Sequence, residues 1–182
     1  MGTAERFGYE ETGWKVRTAL TDACEIHRKG EKFDLVLLYG LSTPHFNPWS
    51  LVRFLSSACE ALNDDGFLAI EEADRRYSIF LTAGYKWALY EAFDESKPVV
   101  SFHAGYDFKS GMIKRVFWNF KGEPLSMELY YWGFAELASL TWVFFKDVDL
   151  VGLGRARGFI VGVAPRRLLK PEELGEPSFT SE

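Results

Sequence analysis

Two predicted strands end in residues that are suited to bind a ligand. The segment "WKVRTALTDA" (residues 14–23) alternates apolar and polar side chains, which predicts a half-buried strand that ends at the carboxylate of Asp22. The run "FDLVLLYG" (residues 33–40) is apolar except for Asp34, as in a parallel strand covered on both faces. Gly40 allows the backbone to turn sharply after this run. Because ligands of open α/β sheets bind at the carboxyl ends of strands, both ends are candidate binding positions.

Four ionisable side chains near these strand ends could serve proton transfer or binding. His45, in the loop after the second strand, could orient or deprotonate an acceptor molecule, or it could be hydrogen-bonded within its own loop. Glu71, Glu72 and Asp74 end the next predicted strand at the same edge. Carboxylates at that position either contact a ligand or are solvated, and the sequence leaves both interpretations open.

The composition is that of a single globular domain with a substantial core. The 182 residues are 47% hydrophobic and 16% aromatic, which excludes a disordered chain. A net charge of −5 provides no basic surface for nucleic acid or for an anionic membrane, and no apolar run is long enough to span a bilayer. The N-terminus lacks the apolar stretch of a signal peptide. We therefore expect neither nucleic acid nor membrane as a partner.

Cys24 and Cys59 are too few and too far apart to form a disulfide framework or a zinc site. We expect two small buried thiols in a reducing cytoplasm, and no metal site. The sequence has no glutamine and only three asparagines. This scarcity of thermolabile amides suggests a thermophilic source.

Alternating predicted strands and helices indicate an α/β sheet over most of the chain. "NP" at residues 47–48 predicts an N-cap followed by the first residue of a helix. The predicted elements are the end of a helix over 4–12, strands over 14–23 and 33–39, a helix over 49–62, a turn at 63–66, a strand over 67–72, a long helix over 75–93, a helix over 133–145, and closing strands over 147–153 and 158–165.

Residues 99–132 show a different pattern. Three β-rich runs, 99–108, 111–120 and 125–132, are joined by short polar turns, which suits an antiparallel meander. His103 either faces a substrate or belongs to the packed sheet. The aromatic side chains of this insert either pack in the core or line a substrate pocket; they are Phe102, Tyr106, Phe108, Phe117, Trp118, Tyr130, Tyr131 and Trp132.

The glycine-rich stretch "VGLGRARG" (residues 151–158) resembles a phosphate-binding loop only superficially. Such a loop must open a helix, so that phosphates meet the helix N-terminus. Here the next segment, "FIVGVAP", is another strand, and three residues rather than two precede the last glycine. The stretch therefore predicts a hairpin turn. We expect one domain over residues 1–169 and a polar tail over 170–182.

The order of these pieces resembles the class I S-adenosylmethionine-dependent methyltransferase family. The resemblance covers residues 14–98 and 133–165 and implies a Rossmann-like α/β sheet. Residues 99–132 resemble the antiparallel insert that some small-molecule methyltransferases place over the active site. The matching segments are "TDA", "FDLVLLYGLSTPHF", "LNDDGFLAIEE", "FAELASLTWVFFKDVDLVG" and "GFIVGVAP".

The resemblance implies a set of cofactor contacts. In this family an acidic residue followed by a small one holds the adenine, so the Asp22 carboxylate would accept a hydrogen from the exocyclic amine. The Ala23 N–H would donate to a ring nitrogen. The end of strand 33–39 would present the backbone carbonyl of Tyr39 or Gly40 to the methionine ammonium, and Leu41 is a further cofactor-binding candidate.

The resemblance also implies a function and its candidate residues. The catalytic candidate is His45, and the substrate-binding candidates are His103, Tyr106 and Trp132. The sulfonium of S-adenosylmethionine is already a strong electrophile, so the protein has to place the acceptor in line with the methyl group and exclude water. We expect methyl transfer to an unidentified small-molecule acceptor.

Part of the family pattern has no counterpart in this sequence. The family's first strand with its Gly-x-Gly loop, and its second strand with the acid that holds the ribose, would precede the first residue. We expect either a fragment or a degenerate remnant, with weak cofactor binding and no turnover by this chain alone. Strand 33–39 would then have an open edge, which predicts a homo-oligomer. The alternative is a non-enzymatic methyltransferase-like module for binding or dimerisation.

Overall fold

The computed structural model describes residues 3–91, 98–175 and 177–180. Three α-helices and eight strands lie within these residues. The helices are α1 (Thr3–Thr12), α2 (Pro48–Ala61) and α3 (Phe134–Phe144), and the strands are β1 (Phe33–Leu38), β2 (Leu62–Ala73), β3 (Ala88–Tyr90), β4 (Val100–Asp107), β5 (Met112–Trp118), β6 (Leu125–Leu129), β7 (Phe145–Gly154) and β8 (Arg157–Pro165). Short helical segments are Ala23–Lys29, Thr43–His45, Pro171–Glu173 and Ser178–Thr180 (3₁₀) and Arg76–Thr82 (π).

The main sheet has the strand order β1-β2-β8-β7. β1 and β2 are parallel and are connected through α2, while β8 is antiparallel to both β2 and β7. This arrangement confirms the predicted α/β fold. It also brings the ends of β1 and β2 to the same edge of the sheet, next to the loops that carry the candidate residues.

Helix α2 packs on one face of the main sheet because its apolar residues recur at helical spacing. Its start was predicted correctly: the Asn47 side chain accepts from the Ser50 N–H at 2.8 Å, and Pro48 is the first helical residue. The sheet side chains beneath α2 and α3 are fully buried, Leu68 and Ile70 among them. The core cluster comprises Cys24, Leu51, Phe54, Leu55, Ala58, Cys59, Leu62, Leu68, Ile70, Trp132, Leu137, Phe144, Phe145 and Ile160.

The second sheet has the order β3-β4-β5-β6, and every neighbouring pair in it is antiparallel. Its three longer strands lie within the three predicted runs, so the predicted antiparallel insert is confirmed. Both cysteines are free and buried, as expected, and burial raises the pKa of Cys24 to about 11 and that of Cys59 to about 12.

Three local predictions were wrong. Residues 14–22 form no strand, because no described strand lies beside them to complete a ladder. The helix over 75–93 is instead the π-helical segment followed by β3, because residues 88–90 pair with β4; its last predicted residues, 92 and 93, lie outside the described residues. The turn at 63–66 is a bulge within β2, since Phe33 is opposite Leu62 and Leu35 is opposite Phe67.

The glycine-rich stretch is a hairpin turn between β7 and β8, as predicted. Arg155 and Ala156 form the turn, with φ of +49° and +56°. Left-handed conformation at both central residues is the geometry of a two-residue type I′ hairpin, which matches the twist of the strands. Among the described residues, no helix has the length and apolar character needed to cross a membrane.

Candidate functional site

The loop after β1 makes a tight turn at the carboxyl edge of the main sheet. Gly40 and Leu41 are both left-handed, with φ of +79° and +57°. The Ser42 hydroxyl donates to the Tyr39 carbonyl at 2.7 Å, and the Gly40 N–H donates to the Glu71 carboxylate at 2.9 Å. These bonds fix the backbone of residues 39–42 against the end of β2.

Glu71 is anchored in turn by Arg157 at the start of β8. The guanidinium donates twice to the Oε1 atom, with the Nε contact at 3.1 Å. Hydrogen bonding from Arg157, followed by that from the Gly40 N–H, lowers the pKa of Glu71 below its usual range. The carboxylate therefore stays charged and holds the loop in place through the Gly40 N–H. Because Glu71 is buried, it has no surface to offer a ligand.

The backbone carbonyls of residues 39–41 differ in whether they accept a hydrogen bond within the protein. The Tyr39 carbonyl accepts from Ser42, and the Leu41 carbonyl accepts from the Arg75 guanidinium at 3.3 Å. No described residue donates to the Gly40 carbonyl. Within residues 39–41, the Gly40 carbonyl is thus the one with both lone pairs open to a cationic group.

The other two acidic residues at the end of β2 also have structural partners. Glu72 is fully buried, its Oε1 atom lies 3.1 Å from the Arg75 Nε, and burial raises its pKa to about 7. The Asp74 carboxylate accepts from the Tyr77 N–H at 2.9 Å and from the Phe134 N–H at 3.3 Å. Asp74 therefore joins the π-helical segment to the start of α3.

Asp22 and Ala23 lie beside the first turn of α2. The Asp22 Oδ1 atom accepts from the Cys24 N–H at 2.8 Å and caps the 3₁₀ segment that begins at Ala23. The Cys24 thiol donates to the Ser50 carbonyl at 3.3 Å, which ties this segment to α2. One carboxylate oxygen is engaged in the cap and the side chain is exposed, so the second oxygen remains available to an adenine amine. The residues present fit part of an S-adenosylmethionine site.

His45 is exposed at the end of its 3₁₀ turn. Its backbone N–H donates to the Ser42 carbonyl at 3.2 Å, whereas no described residue is hydrogen-bonded to its imidazole ring. The ring is therefore accessible from solvent, next to the Gly40 turn in sequence.

A cleft of about 190 Å³ lies between the insert and the π-helical segment. It adjoins the same loop, because the Tyr130 N–H donates to the Pro44 carbonyl at 2.8 Å. At its polar end, Glu136 accepts from the Tyr130 hydroxyl at 2.9 Å and pairs with Arg76 at 2.7 Å. The cleft is lined by Arg76, Phe80, Tyr106, Gly111, Ile113, Tyr130 and Tyr131.

The structure separates the three substrate-binding candidates. Tyr106 lines the cleft, whereas His103 lies farther along the same face of the insert, bonded to the Tyr85 hydroxyl at 2.6 Å. Trp132 is fully buried, and its indole N–H donates to the Thr43 and Phe46 carbonyls at 3.1 and 3.0 Å. It supports the 43–46 loop from within the core and has no surface exposed to a substrate.

Several residues of this site were not singled out from the sequence. Arg157 anchors Glu71 from 86 residues away, and Arg76 and Glu136 form the polar end of the cleft across the chain. Arg115 is fully buried beneath the insert, where its guanidinium donates to Ser101 and to the Tyr85 hydroxyl. Charged residues of this kind carry no local signal, because their partners are far away in sequence.

Comparison with solved structures finds similar folds. The PH0226 protein of Pyrococcus horikoshii superposes with a TM-score of 0.61 at 16% identity over 88% of this chain and 67% of its own. An S-adenosylmethionine-dependent methyltransferase of Clostridium acetobutylicum gives 0.58 at 12% identity over 87% and 68%. The CcbJ methyltransferase of Streptomyces caelestis gives 0.56 at 13% identity over 79% and 61%.

These similarities concern the fold, because all three identities are low. The chain spans about two thirds or less of the length of the solved structures it matches, as the 63% of Streptomyces venezuelae DesVI also illustrates. No protein-family model and no curated sequence matches the chain. On its architecture, the chain has the fold of the class I S-adenosylmethionine-dependent methyltransferases.

Proposed function

We propose that this chain belongs to an enzyme that transfers a methyl group from S-adenosylmethionine to a small-molecule acceptor. The observation that carries the proposal is the Gly40 carbonyl, which is held on a rigid turn at the carboxyl end of β1 without a described donor. A fixed, unpaired carbonyl suits the methionine ammonium because it can accept a hydrogen bond without first losing another. The methyltransferase fold supports the same assignment.

Two further residues would hold the other end of the cofactor. The Asp22 oxygen that is not used in the cap would accept from the adenine amine, and the Ala23 N–H would donate to a ring nitrogen. Both lie beside the N-terminal turn of α2, and the 39–47 loop leads into that turn. The adenine and the ammonium would thus be held at two ends of one short loop-to-helix segment.

The acceptor would occupy the aromatic cleft of the insert. Tyr106 and Tyr131 supply apolar surface, and the Arg76–Glu136 pair supplies polar partners for hydroxyl or amino groups. His45, exposed on the neighbouring loop, would orient the acceptor or take up its proton.

S-adenosylmethionine, when bound, supplies an electrophilic methyl group that needs no further activation. The contribution of this chain is to position the cofactor and the acceptor relative to each other. The Gly40 turn fixes the ammonium, the cleft fixes the acceptor, and the aromatic side chains exclude water from the space between them.

The proposal is tested by calorimetric titration of the chain with S-adenosylmethionine. We expect a saturable heat of binding. Asp22→Ala should weaken the binding, and Asp149→Ala, an exposed acid in β7, should not. Binding that is identical in wild type and Asp22→Ala would contradict the assigned adenine contact.

A non-enzymatic role in binding or dimerisation is the second candidate. It is favoured by the open face of the main sheet, where Leu35 and Leu37 are each about half exposed. If millimolar S-adenosylmethionine gives no saturable heat while the chain forms a stable dimer, this second role replaces the first.

A further inference from the structure

At β1, no described element covers the face of the main sheet opposite α2 and α3, and the side chains on it are apolar. Leu35 and Leu37 of β1 are 53% and 51% exposed, and Phe67, which is opposite Leu35, is 46% exposed. β1 is also the edge strand, so within the described residues its outer N–H and C=O groups have no ladder partner. An apolar edge strand of this kind is a template for another strand.

A second extended segment, which belongs to neither sheet, lies nearby. Residues 14–22 carry an alternating pattern of apolar and polar side chains, yet Trp14 is 77% exposed and Leu20 is fully exposed. An open cleft of about 430 Å³ lies between residues 17–19 of this segment and Phe33 at the start of β1. Both the alternating pattern and the exposure of its apolar side chains indicate that this segment could form a strand but lacks a strand to pair with.

In the single chain, residues 14–22 do not pair with β1. Residues 23–29 form a capped 3₁₀ helix that packs on α2, on the face of the sheet opposite Leu35 and Leu37. Residues 14–22 are therefore connected to the fold on the face of the main sheet that α2 covers. Two contacts hold the segment in the single chain: Arg17 pairs with Glu31, with one contact at 3.1 Å, and the Thr18 hydroxyl donates to the Glu5 carboxylate of α1 at 3.0 Å.

We propose that the chain forms a homodimer by exchange of this segment: residues 14–22 of each copy add as an edge strand to β1 of the other. Trp14, Val16 and Leu20 share one side of the extended segment, so they would cover the exposed leucines of β1. Main-chain hydrogen bonds along both strands provide affinity, and the alternate side chains provide specificity.

Charge complementarity supports the second copy as the occupant. Lys15 and Arg17 lie on the other side of the extended segment. Asp34, within β1, and Glu31, just before it, provide exposed negative charge at the receiving edge. Exchange would let Arg17 keep an acidic partner while the segment and β1 gain main-chain hydrogen bonds. The proposal does not depend on cofactor binding.

Light scattering at tens of micromolar protein tests the proposal first, and we expect a dimer. Leu37→Lys places a charge in the interface at a position that is exposed in the single chain, so the fold should persist, as checked by circular dichroism. It should raise the dimer dissociation constant by at least ~30-fold. The matched control Leu153→Lys, on exposed β7 at the opposite edge, should not. A monomeric wild type, or a dimer insensitive to Leu37→Lys, would overturn the proposal.

Thiol-specific cross-linking of mixed chains identifies the exchanged segment. One chain carries Val16→Cys and the other carries Leu37→Cys, while the two native cysteines are buried. Because each chain has one new thiol, a covalent pair between the two variants can form only between chains. We expect that pair, and none when Leu153→Cys replaces Leu37→Cys. Equal cross-linking with both partners would overturn the exchange.

Discussion

The backbone N–H of Gly40 donates to the carboxylate of Glu71 at 2.9 Å, across 31 residues of sequence. This bond joins the loop after β1 to the end of β2, and Arg157 of β8 donates to the same carboxylate. The Gly40 carbonyl is left available because the rest of the turn is occupied by partners within the protein. The proposed contact of the Gly40 carbonyl with the cofactor thus depends on Glu71, which does not itself contact the cofactor.

Low pH should weaken the interactions of the Glu71 carboxylate, because protonation removes its charge. The pKa of Glu71 is lowered in the folded chain, so its stabilising effect is complete above the unfolded value of 4.5 and is lost as pH falls through the lower folded pKa. We expect Glu71→Gln to reduce the loss of stability as pH falls below 4.5, because the variant has no proton to take up at this site. Denaturant unfolding at a series of pH values measures this. An identical acid dependence in both chains would show that Glu71 is not linked to folding.

Glu72 should have the opposite pH dependence. Burial raises its folded pKa to about 7 against an ordinary value of 4.5, although Arg75 acts in the other direction. The folded state therefore binds the extra proton between these values, and stability falls as pH rises through that window. Relative to Glu72→Gln, the wild-type free energy of unfolding should fall by about 1–3 kcal/mol from pH 5 to pH 8. A constant difference between the two chains would contradict the raised pKa.

Trp132 should matter through the core and the 43–46 loop. Trp132→Phe leaves a small cavity and deprives the Thr43 and Phe46 carbonyls of their shared donor, so we expect a loss of about 2–4 kcal/mol in unfolding free energy. Trp87→Phe, at a position that is 73% exposed and outside the proposed dimer interface, should change it by less than about 0.5 kcal/mol. Similar effects of the two substitutions would refute this role.

The sequence predicted those elements whose signal is local. The apolar run of β1 and the Asn47-Pro48 start of α2 are readable within a few residues, and the structure has both. The strand over 14–23 failed because alternation specifies a half-buried strand only where a neighbour exists to pair with it. The helix over 75–93 failed because residues 88–90 find hydrogen bonds in β4, which outweighs their local preference.

The candidate site was predictable in the same limited way. Gly40 stands at the end of an apolar run, and the structure places it after β1 as predicted. Asp22 was predicted at the end of a strand, whereas it caps a 3₁₀ segment. Glu71 was recognised as a strand-end carboxylate, but its pairing with Arg157 depends on β2 and β8 becoming neighbours. Trp132 was a substrate-binding candidate because the aromatic side chains of the insert could line a pocket, while its burial depends on how the insert packs against the loop.

The central claim is that the Gly40 turn and the Asp22–Ala23 segment hold S-adenosylmethionine. It is tested most directly by titrating the isotope-labelled chain with the cofactor and following every backbone amide by NMR. The account predicts saturable shifts that are largest at Ala23 and at residues 40–42, with Asp22→Ala abolishing those at Ala23. Shifts confined to residues away from both segments, or none at millimolar cofactor, would contradict it.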